Sequence, residues 1–266
     1  MEKFKWILKT TGILIFINVF ALLIVYILTS LGLDYNNERA TTYILLISQA
    51  VIGLTTYLLI RIRKKRTAGP YIYNQGLNKD SWKMVLIGLG AAGFGNILLS
   101  IVIKMLGENS LVKDSIDLVN TVFNASDPFT IILQTLSVAI IAPIVEEYLF
   151  RGYIFTESRK GFSPASAIVL NGLVFGIYHM NLLQGINTFI LGMLLATIYY
   201  YRRNISDVIL IHAANNTIAI ISAFLPQAAS IIGVLLIISL IIAIYMVYKI
   251  IKNGKTAYKK VSNQEI

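Results

Sequence analysis

The chain has 266 residues, 56% of them hydrophobic and only 14% charged, with a formal net charge of +10. That composition excludes a soluble globule, and the absence of cysteine excludes disulfides, cysteine-based zinc sites and thiol nucleophiles. Lys and Arg gather in short clusters beside apolar runs, a pattern that orients membrane proteins and gives no reason to expect a nucleic-acid partner.

Taken in order, the apolar runs predict an all-α, polytopic membrane helix bundle of about eight transmembrane helices, because about 20 apolar residues are needed to cross a bilayer. The spans fall at roughly 6–31, 41–61, 82–105, 128–157, 164–182, 185–201, 205–224 and 228–250. The first follows Lys3 and Lys5 like a signal peptide, but its apolar region is too long and lacks a small-residue cleavage site, so it reads as a retained span. Arg61 to Arg66 follow the second span, Arg159 and Lys160 the fourth, Arg202 and Arg203 the sixth, and Lys249 to Lys260 the eighth. All these clusters share one side if both termini are cytoplasmic. Two polar segments, Thr67–Ser81 and Gly107–Asp127, read as loops on opposite sides. The chain reads as one integral membrane domain over 1–266. Residues 1–105 form scaffold spans, 128–225 hold the chemistry, and a last span over 228–250 leads to a basic tail over 251–266.

Two local patterns are set aside. Gly88-Leu89-Gly90-Ala91-Ala92-Gly93 fits a dinucleotide-binding fingerprint, but that fingerprint needs a strand before it. Inside a transmembrane span, small residues permit close helix packing instead. Asn124-Ala125-Ser126 is a glycosylation sequon that matters only on a eukaryotic secretory route.

The chemistry concentrates in spans four, five and seven. Glu146 and Glu147 are adjacent carboxylates in an apolar helix, and an ionisable group at that depth is by default a functional-site hypothesis. Both histidines of the chain, His179 and His212, also lie in apolar segments. Glu146 lies 16 residues before Phe162 and His179 lies 17 after it. At 1.5 Å per residue the two sit at matching heights on antiparallel helices, about 24 Å from the hinge. His212, eight residues beyond Asn204, is expected to be shallower.

Glu147 and Arg151 have the i, i+4 spacing of an ion pair, which leaves Glu146 as the carboxylate free for chemistry. Pro143 has no N–H to offer the Ala139 carbonyl and is expected to loosen the helix. Asn171, Phe175 and His179 share one face of span five. His212 and Asn216 share one face of span seven, where the amide is placed either to hydrogen-bond the imidazole or to polarise a carbonyl. A carboxylate, two imidazoles and an amide are equipment for activating water against a peptide bond.

Glu146-Glu147-x-x-x-Arg151, Phe175-x-x-x-His179 and His212-x-x-x-Asn216 together resemble the three ordered motifs of the CAAX prenyl protease and bacteriocin-processing family of intramembrane proteases, also called the abortive-infection family. The resemblance covers about Phe129 to Leu225. It implies an all-helical fold with a polar cavity open to the cytoplasm, and a membrane-associated or lipidated peptide as substrate. It also implies that Glu146 and His179 activate water, that His212 and Asn216 bind the carbonyl and stabilise the oxyanion, and that Glu147, Arg151 and Phe175 shape the site. Family members are described both as metal-free glutamate proteases and as metalloproteases. No cofactor is expected here, although Glu146, His179 and His212 would be the ligands if zinc were bound. The bacterial branch implies a plasma-membrane protein in bacteriocin or pheromone maturation, or in self-immunity.

Two other readings stand beside this one. A non-catalytic membrane immunity or binding protein would need no intact motifs. A proton-coupled transporter would carry polar residues in repeat-related positions, and spans one, two and eight are nearly bare.

Overall fold

A computed structural model describes residues 1–32, 37–64, 76–107, 109–123 and 125–262. Lys65 and Arg66, most of the predicted loop at Thr67–Ser81, the sequon's Asn124 and the end of the basic tail lie outside the described residues. The described chain is helical throughout, and seven helices are long and apolar enough to cross a membrane. In chain order the helices are α1 (Glu2–Ser30), α2 (Glu38–Lys64), α3 (Trp82–Leu106), α4 (Ser110–Val122), α5 (Pro128–Ser158), α6 (Pro164–Tyr178), α7 (Leu182–Arg202), α8 (Ile205–Phe224) and α9 (Ala229–Ser262), of which all but the short α4 and α6 are of spanning length. The protein is an integral membrane protein: Leu22, Leu235 and Ile241 point outward, and an apolar outer surface is stable only against lipid.

Two expectations change. The fifth predicted span, 164–182, is a helix of only 15 residues, Pro164–Tyr178, about 22 Å long against the roughly 30 Å of a bilayer core. It stops because Met180 takes a left-handed backbone (φ 51°) and Asn181 begins the next helix, its side chain accepting from the Gln184 N–H at 2.9 Å. The predicted loop at Gly107–Asp127 contains α4, capped by Asn109. Val112 and Ser115 of α4 are buried, and the Ser115 carbonyl accepts from Asn181 at 2.9 Å.

Helix α3 packs on α8 and α9. The glycines of the apparent dinucleotide motif make this possible. A Cβ at Gly93 would lie 2.7 Å from the Leu236 carbonyl oxygen, and one at Gly90 equally close to that of Ser239, so the backbones meet directly. At the basic end of the bundle, Glu157 closes α5 and gathers Arg63 (2.9 Å), Lys160 (2.5 Å) and Lys9 (3.9 Å). Basic residues from three separate stretches of sequence therefore share one end.

Helix α5 is irregular. It is α-helical over Pro128–Leu136, π-helical over Ser137–Ile141, α-helical over Ala142–Glu147, π-helical over Tyr148–Phe155, and closes with a turn over Thr156–Ser158. Such widened turns are rare and recur at functional sites. They re-aim backbone carbonyls, which must find donors in a medium without water. Here other helices supply them. Gln49 of α2 donates to Ser137 (3.2 Å), Asn216 of α8 to Val138 (2.9 Å), Asn171 of α6 to Phe150 (3.0 Å) and Trp6 of α1 to Ile154 (3.0 Å).

Candidate active site

The carboxylate pair lies on the short α-helical stretch between the two π-helical turns, and both side chains are buried. Adjacent helical residues point about 100° apart, and the two carboxylates accordingly have different neighbours. Glu147 is fully enclosed. Its Oε1 accepts from the Arg151 guanidinium at 2.7 Å and lies 2.8 Å from His212 Nδ1. Arg151 also donates to the Gly192 carbonyl of α7 at 3.1 Å and lies 4.7 Å from the centre of the Phe175 ring. The ion pair expected from the i, i+4 spacing is present, with a cation–π contact beside it.

Glu146 makes no such bond. Its Oε2 is 3.9 Å from His212 Nε2, too long for a hydrogen bond but short enough for both atoms to touch one water molecule. His212, expected to be shallower, meets both glutamates. A helix wound wider advances less per residue, so Tyr148–Phe155 carries Glu147 nearer the basic end than an ideal α-helix would.

Phe175 organises the imidazoles. Its ring is edge-on to His179 at 5.1 Å and to His212 at 5.6 Å, so the two histidines flank one aromatic side chain. His179 stands at the C-cap of α6, beside Tyr178, whose ring is 5.3 Å away. His179 Nε2 is buried without a hydrogen-bond partner, as are Glu147 Oε2, Arg151 Nε and Asn171 Oδ1. Four unpaired buried polar atoms on the motif helices are unusual for a native core.

Asn216 is used differently from either option open in the sequence. Its amide nitrogen donates to Val138 and its oxygen accepts from Asn215 at 3.3 Å, while the imidazole of His212 turns to Glu147. Pro143 explains this. In the π-helical turn the Ala142 N–H reaches back to Ser137. The next residue in that series is Pro143, which has no N–H, and the side-chain amide of Asn216 bonds the Val138 carbonyl instead. The carbonyl affected is thus Val138, five residues before the proline. The expectation of Ala139 assumed an unbroken α-helix.

Among the described residues no group of three His, Asp or Glu side chains is arranged to hold a metal ion. Glu146, His179 and His212 are not arranged as such a set, although Glu147 on His212 Nδ1 leaves that ring's Nε2 open. Tyr178, Gln49 and Trp6 were not singled out in the sequence. Gln49 carried a usable signal, an amide in an apolar helix, whereas Tyr178 and Trp6 look like ordinary apolar-belt aromatics.

No curated protein and no solved structure matches this chain. Residues 128–218 match the model of a family described as type II CAAX prenyl endopeptidase Rce1-like. The matched stretch runs from α5 into α8 and contains all three motifs and every side chain of the cluster around Phe175. Over residues 128–218 the chain is thus similar to an Rce1-like type II CAAX prenyl endopeptidase, in agreement with the family of intramembrane proteases that its three ordered motifs resemble.

Proposed function

We propose that this protein is an intramembrane endopeptidase that cuts a membrane-associated or lipidated peptide with a glutamate-activated water. The observation that carries the proposal is the division of labour between the adjacent carboxylates. Glu147 is committed to Arg151 and His212, which leaves Glu146 beside His212 Nε2 with no bond of its own to break.

In this mechanism Glu146, with His179 as its partner, takes a proton from water as the oxygen attacks the scissile carbonyl carbon. His212, held through Nδ1 by Glu147, donates from Nε2 to the developing oxyanion, and the remaining amide hydrogen of Asn216 assists. The C–N bond then breaks, and the proton held by Glu146 passes to the leaving amine. With His212 as imidazolium, the four groups Glu146, Glu147, Arg151 and His212 sum to zero charge, as a membrane interior favours. Phe175 keeps both imidazoles in place. No step is routed through a metal.

The whole chain acts as one domain in this reading, with 1–105 as scaffold and 128–225 as the catalytic helices. The basic end faces the cytoplasm by the positive-inside rule, in a bacterial plasma membrane. Maturation of a bacteriocin or pheromone peptide, or self-immunity, is the physiological role proposed from the family resemblance. The test is cleavage of a membrane peptide by purified protein in detergent, comparing wild type, Glu146→Ala and wild type with a chelator. Cleavage lost only in Glu146→Ala supports the proposal. Equal cleavage by both proteins removes Glu146 from the chemistry, and loss with chelator reversed by zinc replaces the glutamate mechanism.

A further inference from the structure

We infer that Gln49 is a positioning residue for the carboxylate pair, holding α5 in the π-helical register that decides which glutamate faces His212 Nε2. The inference rests on the proposal that Glu146 is the acting carboxylate. Gln49 lies on α2, outside the matched residues 128–218.

The physical argument begins with the cost of a π-helical turn. It is rare because i→i+4 bonding is the better geometry, so a protein that keeps one must favour it by other contacts. Ser137–Ile141 sits between two such contacts. On one side Asn216 covers the Val138 carbonyl. On the other, Gln49 and Ser137 bond each other twice: the Gln49 amide donates to the Ser137 carbonyl at 3.2 Å, and the Ser137 hydroxyl donates to Gln49 Oε1 at 3.0 Å. Gln49 is buried and spends both polar atoms on this one residue. A neighbouring amide, Gln134, reaches Thr42 of the same helix at 3.2 Å, so α2 grips the start of α5 at two successive turns.

A π-helical turn accommodates one extra residue. Relaxing it to an α-helix rotates everything downstream by about 100° relative to Pro128–Leu136. That is the angle between Glu146 and Glu147. Without the Gln49 contact, the carboxylate bound to Arg151 and the one left free would no longer be fixed. Gln49 would then act on the reaction through helix register, with no contact to substrate.

The absence of cysteine makes a direct test clean. Gly53, one turn beyond Gln49 on α2, faces α5: a Cβ built there lies 3.6 Å from Val145 Cγ2, close enough for a Gly53→Cys, Val145→Cys pair to form a disulfide. Oxidation should cross-link this pair in an otherwise wild-type chain. Adding Gln49→Leu should lower the cross-linked fraction several-fold. In the cysteine-free protein, Gln49→Leu should reduce kcat by about 10- to 100-fold, the order expected for ångström-scale misplacement, with KM little changed.

Adding Ser137→Ala to Gln49→Leu removes both partners, so thermal stability should return toward wild type while kcat stays low. An unchanged cross-link in Gln49→Leu overturns the inference. So does recovery of kcat together with stability in the double variant, which would make Gln49 simple interhelical glue. A parent pair that fails to cross-link also overturns it, by removing the α2–α5 contact. If wild type cuts no peptide, the protease proposal is the part that fails, and the cross-link still decides the register.

Discussion

His212 Nδ1 lies 2.8 Å from Glu147 Oε1, the same oxygen that receives the Arg151 guanidinium. One carboxylate oxygen therefore orients the imidazole and neutralises the cation, and the preceding residue, Glu146, is the one left unbonded beside His212 Nε2. The two glutamates are chemically identical and one residue apart. Only their environments differ.

Glu146→Gln keeps the shape of the side chain and removes its capacity to take a proton. Peptide cleavage should fall by at least about 100-fold, the range of general-base contributions, with expression and detergent-extracted stability unchanged. Wild-type turnover by this variant would remove Glu146 from the mechanism.

Glu147→Ala should behave differently, because it strands a buried guanidinium and an imidazole. Breaking a buried pair costs about 3–5 kcal/mol, so folded yield should drop along with activity. Replacing Arg151 as well, as Glu147→Ala with Arg151→Met, should recover much of the yield and none of the activity, since His212 still lacks its partner. Thermal denaturation of the three purified proteins checks the order.

Asn216→Ala leaves the Val138 carbonyl without its donor, at a cost of about 1–3 kcal/mol for an unsatisfied buried group. Pro143→Ala supplies an N–H at the position where the series of backbone donors is interrupted. The double variant should therefore be more stable than the sum of the single changes predicts, a coupling that a double-mutant cycle measures directly. Additive effects would mean that Pro143 and Asn216 do not serve the same carbonyl.

Gly93→Leu should lower the folded yield sharply, because even a Cβ there would lie 2.7 Å from the Leu236 carbonyl oxygen. Added NAD or FAD should leave the thermal midpoint of the wild-type protein unmoved, as binding to the folded state would raise it. A ligand-dependent shift would revive the dinucleotide reading of Gly88 to Gly93.

Much was determined by sequence alone, because the bilayer imposes simple local rules. Runs such as Ile205–Phe224 must be helices in lipid, where every backbone group needs an internal partner, and the positions of Arg63 and Lys160 already implied a common end. The spacing of Glu147 and Arg151 sufficed to predict their ion pair, since i, i+4 neighbours meet on any α-helix. Three motifs in order indicated the domain family.

Contacts between residues far apart in the chain were beyond its reach. That His212 turns to Glu147 and Asn216 to Val138 depends on how far α5 departs from ideal winding, which no local periodicity records. The end of α6 at Tyr178 depends on a left-handed turn at Met180, a non-glycine residue in which such a backbone is uncommon. The part played by Gln49 was hidden for the same reason. An amide in an apolar helix announces a buried hydrogen bond, but only tertiary packing decides whose carbonyl it meets.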